Sequence, residues 1–155
     1  MQNVTQAAAN EIQPPVRLGP YDEPSAVQNT ILVVEDEAFV REAACDILEG
    51  EGYRVLRARN AAEAQAAFRR QKGVVQLLLS DVVLPGQNGP ALAKDLRAVC
   101  PTLKAVFISG YPLNTVTRYG LTTEHMSYLP KPFSGESLLV IVRQILEADG
   151  ENLSL

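Results

Sequence analysis

The chain of 155 residues has no tryptophan, a single histidine and only two cysteines. Cys45 and Cys100 form no metal-type spacing and fall inside predicted helices, so they read as reduced, buried or half-buried thiols rather than a disulfide. His125 stands in a loop with no partner pattern and reads as a solvated side chain. No apolar stretch approaches the roughly 20 residues of a membrane span. The N-terminus lacks a basic segment followed by an apolar one, so no signal peptide is expected and the protein reads as cytoplasmic. A glycine-rich cradle of the P-loop or dinucleotide type is also missing, which counts against a flavodoxin-like cofactor binder. The net charge of −4 gives no electrostatic reason to expect nucleic-acid binding.

What is present is an ordinary globular composition, 46% hydrophobic and 21% charged, at a length that suits one core plus a tail. Residues 1–29 are polar, hold Pro14, Pro15, Pro20 and Pro24, and read as a flexible tail or interdomain linker. From Thr30 strand and helix patterns alternate through five units to Ala148, leaving 149–155 as a short tail and no room for a second domain. Val40, Ala43, Ala44 and Ile47 form the predicted core stripe of the first helix, ended by Gly50 and Gly52. Asn60 with Glu63 predicts a capping box opening the second helix. A loop over Pro85-Gly86 and Asn88-Gly89 precedes the third helix, marked by Leu92, Leu96 and Val99 and stopped by Pro101. The segment 112–120 carries a thin apolar stripe with β-branched residues and predicts a short or mobile fourth helix. Leu138, Ile141, Val142 and Ile145 mark the fifth.

Polar residues cluster where the apolar runs stop. Ile31-Leu32-Val33-Val34 ends in Glu35-Asp36, the run from Val75 ends in Asp81, Ala105 to Ile108 ends in Ser109, and Tyr128-Leu129-Pro130 leads into Lys131-Pro132. In an open parallel sheet ligands bind outside the carboxyl ends of the strands. Three carboxylates, a hydroxyl and a lysine therefore converge on one edge. Carboxylates brought together there would repel one another, and one or more would bind a proton unless a cation lay between them.

Four sequence pieces, in order and in this strand context, carry a family resemblance. They are Ile31 to Glu37, Ser80-Asp81-Val82-Val83-Leu84-Pro85-Gly86 with Gly89, Ser109-Gly110, and Lys131-Pro132-Phe133. Together they resemble the receiver domain of two-component signalling, over roughly residues 30–148. The resemblance implies an α/β, flavodoxin-like, doubly wound five-stranded parallel sheet of order 2-1-3-4-5 with five helices. It implies that Asp81 accepts a phosphoryl group from a phosphohistidine on a histidine kinase or phosphotransfer protein. Asp36, Asp81 and the backbone carbonyl of Val83 would hold one Mg²⁺, with Glu35 acting through a metal-bound water. Lys131 would pair with Asp81 and then with phosphoryl oxygens, and Ser109 would donate its hydroxyl to the phosphoryl group. Tyr128 matches an aromatic position that changes rotamer, so that a downstream protein reads the surface of the fourth helix, fifth strand and fifth helix. A cis Lys131-Pro132 bond is also implied.

Hard Mg²⁺ prefers oxygen ligands and keeps several waters, which suits this donor set. Phosphoryl transfer needs mainly positioning and charge neutralisation, which Lys131 and Ser109 could supply beside the metal. Plainer readings exist: Glu35 and Asp36 as helix-capping acids, Asp81 and Ser109 as turn residues, Lys131 as a solvated lysine, Tyr128 as a packing residue. Three positions depart from the family's commonest pattern: glutamate at Glu35, serine at Ser109 and an apolar Val83. The alternative from another class is a Mg²⁺-dependent aspartyl-phosphate phosphatase or phosphotransferase. Such enzymes carry an acid two residues after the nucleophile, where this chain has Val83. The expected protein is thus a phosphorylation-switched signalling module rather than a turnover enzyme. Asp81 to Gly86 with Ser109-Gly110-Tyr111 leans toward receivers of hybrid kinases.

Overall fold

The computed structural model describes residues 28–72, 74–119 and 127–153. The leader over 1–27 and His125 lie outside the described residues. Five strands alternate with five helices: β1 (Thr30–Val34), α1 (Ala38–Gly50), β2 (Arg54–Ala58), α2 (Ala61–Arg70), β3 (Leu77–Asp81), α3 (Gly89–Val99), β4 (Lys104–Ser109), α4 (Leu113–Val116), β5 (Ser127–Pro130) and α5 (Gly135–Leu153). All strand pairs are parallel and the sheet order is β2-β1-β3-β4-β5. This is the doubly wound arrangement expected from the sequence.

Strands in such a sheet are covered on both faces, so their residues are apolar without alternation. In β1, Leu32 and Val34 enter the core shared with α2 and α3, while Ile31 and Val33 enter the core shared with α1 and α5. Leu78 on one side, and Leu77 and Leu79 on the other, repeat the pattern in β3. Cys45 and Cys100 pack on opposite sides of the sheet, and both are free thiols.

Local signals set most boundaries. Gly52 takes φ +100°, a left-handed conformation that suits glycine just past the end of α1, and its N–H caps the Glu49 carbonyl at 3.0 Å. Asn60 Oδ1 accepts the Glu63 N–H at 2.8 Å, but Glu63 reaches back to the N–H of Arg59 rather than that of Asn60. Asn88 is the N-cap of α3, accepting from Ala91 N–H at 2.8 Å, so the helix begins at Gly89 inside the segment read as loop. α4 is a single turn followed by a 3₁₀ turn over Thr117–Tyr119. α5 continues past Ala148 to Leu153, and Leu138 and Val142 are buried while Ile141 and Ile145 pack beside them.

Two faces differ from expectation. The buried face of α1 is Ala44, Cys45 and Leu48, one position round from the predicted stripe. Val40 and Ile47 are only half-buried and Ala43 is exposed. In α3, Val99 is exposed, and Ala93 joins Leu92 and Leu96 in the core. The helix ends at Val99, and the next residue, Cys100, packs against the core in its place.

Candidate functional site

Strand register alone gathers the polar residues. Val34 pairs with Ser80, so Glu35 and Asp81 leave adjacent strands side by side. Asp81 pairs with Ile108, just before Ser109, and Ser109 pairs with Pro130, just before Lys131. The order of strands reverses between β1 and β3, the switch point at which open sheets bind ligands.

The side chains meet there. Lys131 Nζ lies 2.9 Å from Asp81 Oδ2 and 2.9 Å from Glu35 Oε1. The contact with Glu35 is an ion pair by distance but lacks hydrogen-bond alignment, which leaves Oε1 as a buried oxygen with no hydrogen-bond partner. Glu35 Oε2 accepts the Glu37 N–H at 3.0 Å, and Asp81 Oδ1 accepts the Val83 N–H at 3.2 Å. Carboxylate oxygens of Glu35, Asp36 and Asp81 all come within 4.8 Å of one another. Glu35 is 1% exposed, whereas Asp36 faces solvent.

Burial pushes the Glu35 carboxyl up from its ordinary range, the nearby Asp81 charge adds to this, and Lys131 with the Glu37 N–H opposes it. Burial by itself would lower Lys131, but its hydrogen bond to Asp81 and its close contact with the Glu35 carboxylate together outweigh that and raise it. The lysine is thus a fixed cation between two carboxylates. Three carboxylates with oxygens this close, faced by a single ammonium and offering only hard donors, fit a divalent cation such as Mg²⁺.

Ser109 is buried, and its Oγ accepts the Tyr111 N–H at 2.9 Å. Tyr128 is half-buried against the core on the α2 and α3 side, and its hydroxyl donates to the Tyr111 carbonyl. One residue, Tyr111, therefore ties Ser109 to Tyr128 through its two backbone groups. The Lys131-Pro132 bond is cis, and the Lys131 N–H donates to the Ser109 carbonyl at 2.8 Å.

Residues 31–143 match the model of the response regulator receiver domain family. The chain belongs to that family. It is 37% identical over 118 residues to the sensor kinase CckA of Brucella abortus, covering 76% of this chain but 12% of the kinase. It is 33% identical to the aerobic respiration control protein ArcA of Escherichia coli K12, covering 75% of this chain and 48% of the relative. The chain thus spans an eighth to about half of these relatives. Among solved structures, the receiver domain of the hybrid histidine kinase CckA aligns with a TM-score of 0.66 at 37% identity, over 76% of this chain and 99% of that one. A CheY-like receiver from Methanospirillum hungatei JF-1 aligns at 0.72 with 26% identity, over 81% and 99%. Receiver domains are signalling domains of two-component systems, and this one has no helix among the described residues long and apolar enough to cross a membrane.

Three features of this receiver were not read from the sequence. The Ser80 hydroxyl donates to the Asp81 backbone carbonyl at 2.8 Å. Gly89 approaches the same carbonyl so closely that a Cβ would lie 2.3 Å from its oxygen. Phe39, Val40, Ala43 and Ile47 of α1 form an apolar groove with Lys131, Pro132 and Phe133. Only the groove left a trace in the sequence: α1 carries more apolar residues than one buried face can use.

Proposed function

We propose that this receiver is phosphorylated on Asp81 by a phosphohistidine of a histidine kinase or phosphotransfer protein, with Mg²⁺ bound at the acidic cluster. The observation that carries the reading is Lys131, which bridges Asp81 and the buried Glu35 at 2.9 Å each. In the transfer, an Asp81 carboxylate oxygen forms a bond to phosphorus as the bond from phosphorus to the donor imidazole nitrogen breaks. Asp81, Asp36 and the Val83 carbonyl would hold the metal, with Glu35 acting through a water. A bound Mg²⁺ supplies neutralisation of charge on the phosphoryl oxygens. Lys131 supplies the second cation and then follows the phosphoryl group. The Ser109 hydroxyl turns from the Tyr111 N–H to donate to a phosphoryl oxygen.

That turn would release Tyr111 and, through its carbonyl, Tyr128. The short α4 between them is the movable piece, since switching segments come from the low-stability end of a fold. A downstream protein then reads the face formed by α4, β5 and α5. The groove along α1 begins at Lys131 itself, so a donor helix seated there would bring its histidine to Asp81. The similarity to a receiver of a hybrid kinase favours a place in a phosphorelay, and the same reading places the protein in the cytoplasm. Val83, two residues past Asp81, offers no acid for substrate turnover, which disfavours the phosphatase alternative.

The test is phosphorylation by acetyl phosphate with and without Mg²⁺, in wild type and Asp36→Ala. The reading expects metal-dependent modification in wild type and weakened Mg²⁺ binding in the variant. Modification that proceeds equally in EDTA would contradict it.

A further inference from the structure

Four hydrogen bonds fix the backbone where it leaves β3. The Val82 N–H donates to the Ile108 carbonyl at 2.9 Å, and the Gly89 N–H to the Val82 carbonyl at 2.8 Å. The Val83 N–H donates to Asp81 Oδ1 at 3.2 Å, and the Ser80 hydroxyl to the Asp81 carbonyl at 2.8 Å. Of these, only the Ser80 bond depends on a side chain other than that of Asp81.

Ser80 is fully buried. A buried carbonyl deprived of its donor bears a desolvation cost, so the hydroxyl holds the Asp81 peptide in one orientation. From the other side, an ideal Cβ on Gly89 would stand 2.3 Å from the Asp81 carbonyl oxygen and 2.9 Å from Ser80 Oγ. The nearest obstacle is backbone, which cannot swing aside as a flexible side chain can. The first residue of α3 reaches the end of β3 because it is glycine. Ser80 and Gly89 therefore grip one atom, the Asp81 carbonyl oxygen, from two directions. The peptide so held lies between the Asp81 carboxylate and Val83, whose backbone carbonyl is the third proposed metal ligand.

We propose that Ser80 and Gly89 are positioning residues for cation binding: through the Asp81 carbonyl they set the joint direction of the Asp81 carboxylate and the Val83 carbonyl. This rests on the function proposed above and names two residues that act on its site without touching the metal.

The experiment titrates Mg²⁺ into the full chain, followed by backbone amide shifts, for wild type, Ser80→Ala and Gly89→Ala, each well below its unfolding temperature. Thermal midpoints are measured alongside. Ser80→Ala removes one oxygen and should fold. Groups that orient metal ligands are worth on the order of tenfold or more in affinity, so Ser80→Ala should weaken Mg²⁺ by roughly that factor. Gly89→Ala should weaken it at least as much, and if it fails to fold the serine variant decides alone. Ser80→Ala with a lowered midpoint but wild-type Mg²⁺ affinity would overturn the proposal, leaving Ser80 a packing residue. Wild type that binds no Mg²⁺ would overturn the function reading and this proposal together, and the wild-type titration distinguishes the two failures.

Discussion

The Lys131 ammonium lies 2.9 Å from Glu35 Oε1, setting a cation from the end of β5 against a carboxylate that is 1% exposed. Burial raises the Glu35 carboxyl in the folded chain above its ordinary 4.5, so the folded state holds that proton more tightly than the unfolded state does. Its contribution to stability is whole below 4.5 and is lost as pH rises through the folded value. Lys131, raised above 10.5, stays protonated throughout that window. Urea unfolding in EDTA from pH 4.5 upward should show wild type losing stability relative to Glu35→Gln. A pH profile of the same slope in both would place the loss elsewhere.

Tyr128 donates its hydroxyl to the Tyr111 carbonyl, while Ser109 Oγ accepts the Tyr111 N–H. Tyr128→Phe removes one such bond at a cost of about 1 kcal/mol. Adding a beryllofluoride mimic to wild type should shift backbone amides from Tyr111 through α4, and Tyr128→Phe should shrink those changes while leaving shifts near Asp81. Identical responses in both proteins would uncouple Tyr128 from the site.

Phe39 is 81% exposed at the groove beside Lys131. An exposed position tolerates Phe39→Asp within about 0.5 kcal/mol of stability. Phosphorylation by acetyl phosphate should be unchanged, while transfer from a cognate protein donor should slow roughly tenfold or more, as for loss of an interface anchor. Equal slowing with both donors would mean that Phe39 supports the site rather than the partner.

Val83 is partly buried against the α2 and α3 core, and Tyr111 is half-exposed. Val83 offers a hydrolytic water no side-chain hydrogen bond, and Tyr111 is bulky enough to crowd the water's approach to the Asp81 phosphoryl. A positioned acid or base is worth on the order of 10²-fold, and water orientation less. Val83→Asn should therefore speed phosphate release several-fold at matched Mg²⁺, at some cost in packing. Release at the wild-type rate would assign water access to Tyr111.

Much of this was legible because parallel strands end in register. Once Asp81 and Ser109 are read as ending a strand and Glu35 and Lys131 as following one, the sheet must bring them to one edge. Faces of helices were less legible. The predicted α1 stripe mixed core residues with groove residues, because α1 is apolar on two adjoining faces and periodicity cannot say which one meets the sheet. Val99 continued the α3 stripe in sequence, but it is exposed and Cys100 beside it takes the core-facing place. Ser80 was hidden inside a buried strand, where a serine signals nothing until its neighbour's carbonyl is located. The closeness of Gly89 depends on where α3 meets β3, a tertiary fact no local motif carries.

The central claim is that Asp81 carries the phosphoryl group. Intact mass after incubation with acetyl phosphate and Mg²⁺ tests it most directly. Wild type should gain one phosphoryl group, reversibly and only with the metal, and Asp81→Asn should gain none. A wild-type gain in Asp81→Asn would contradict the account.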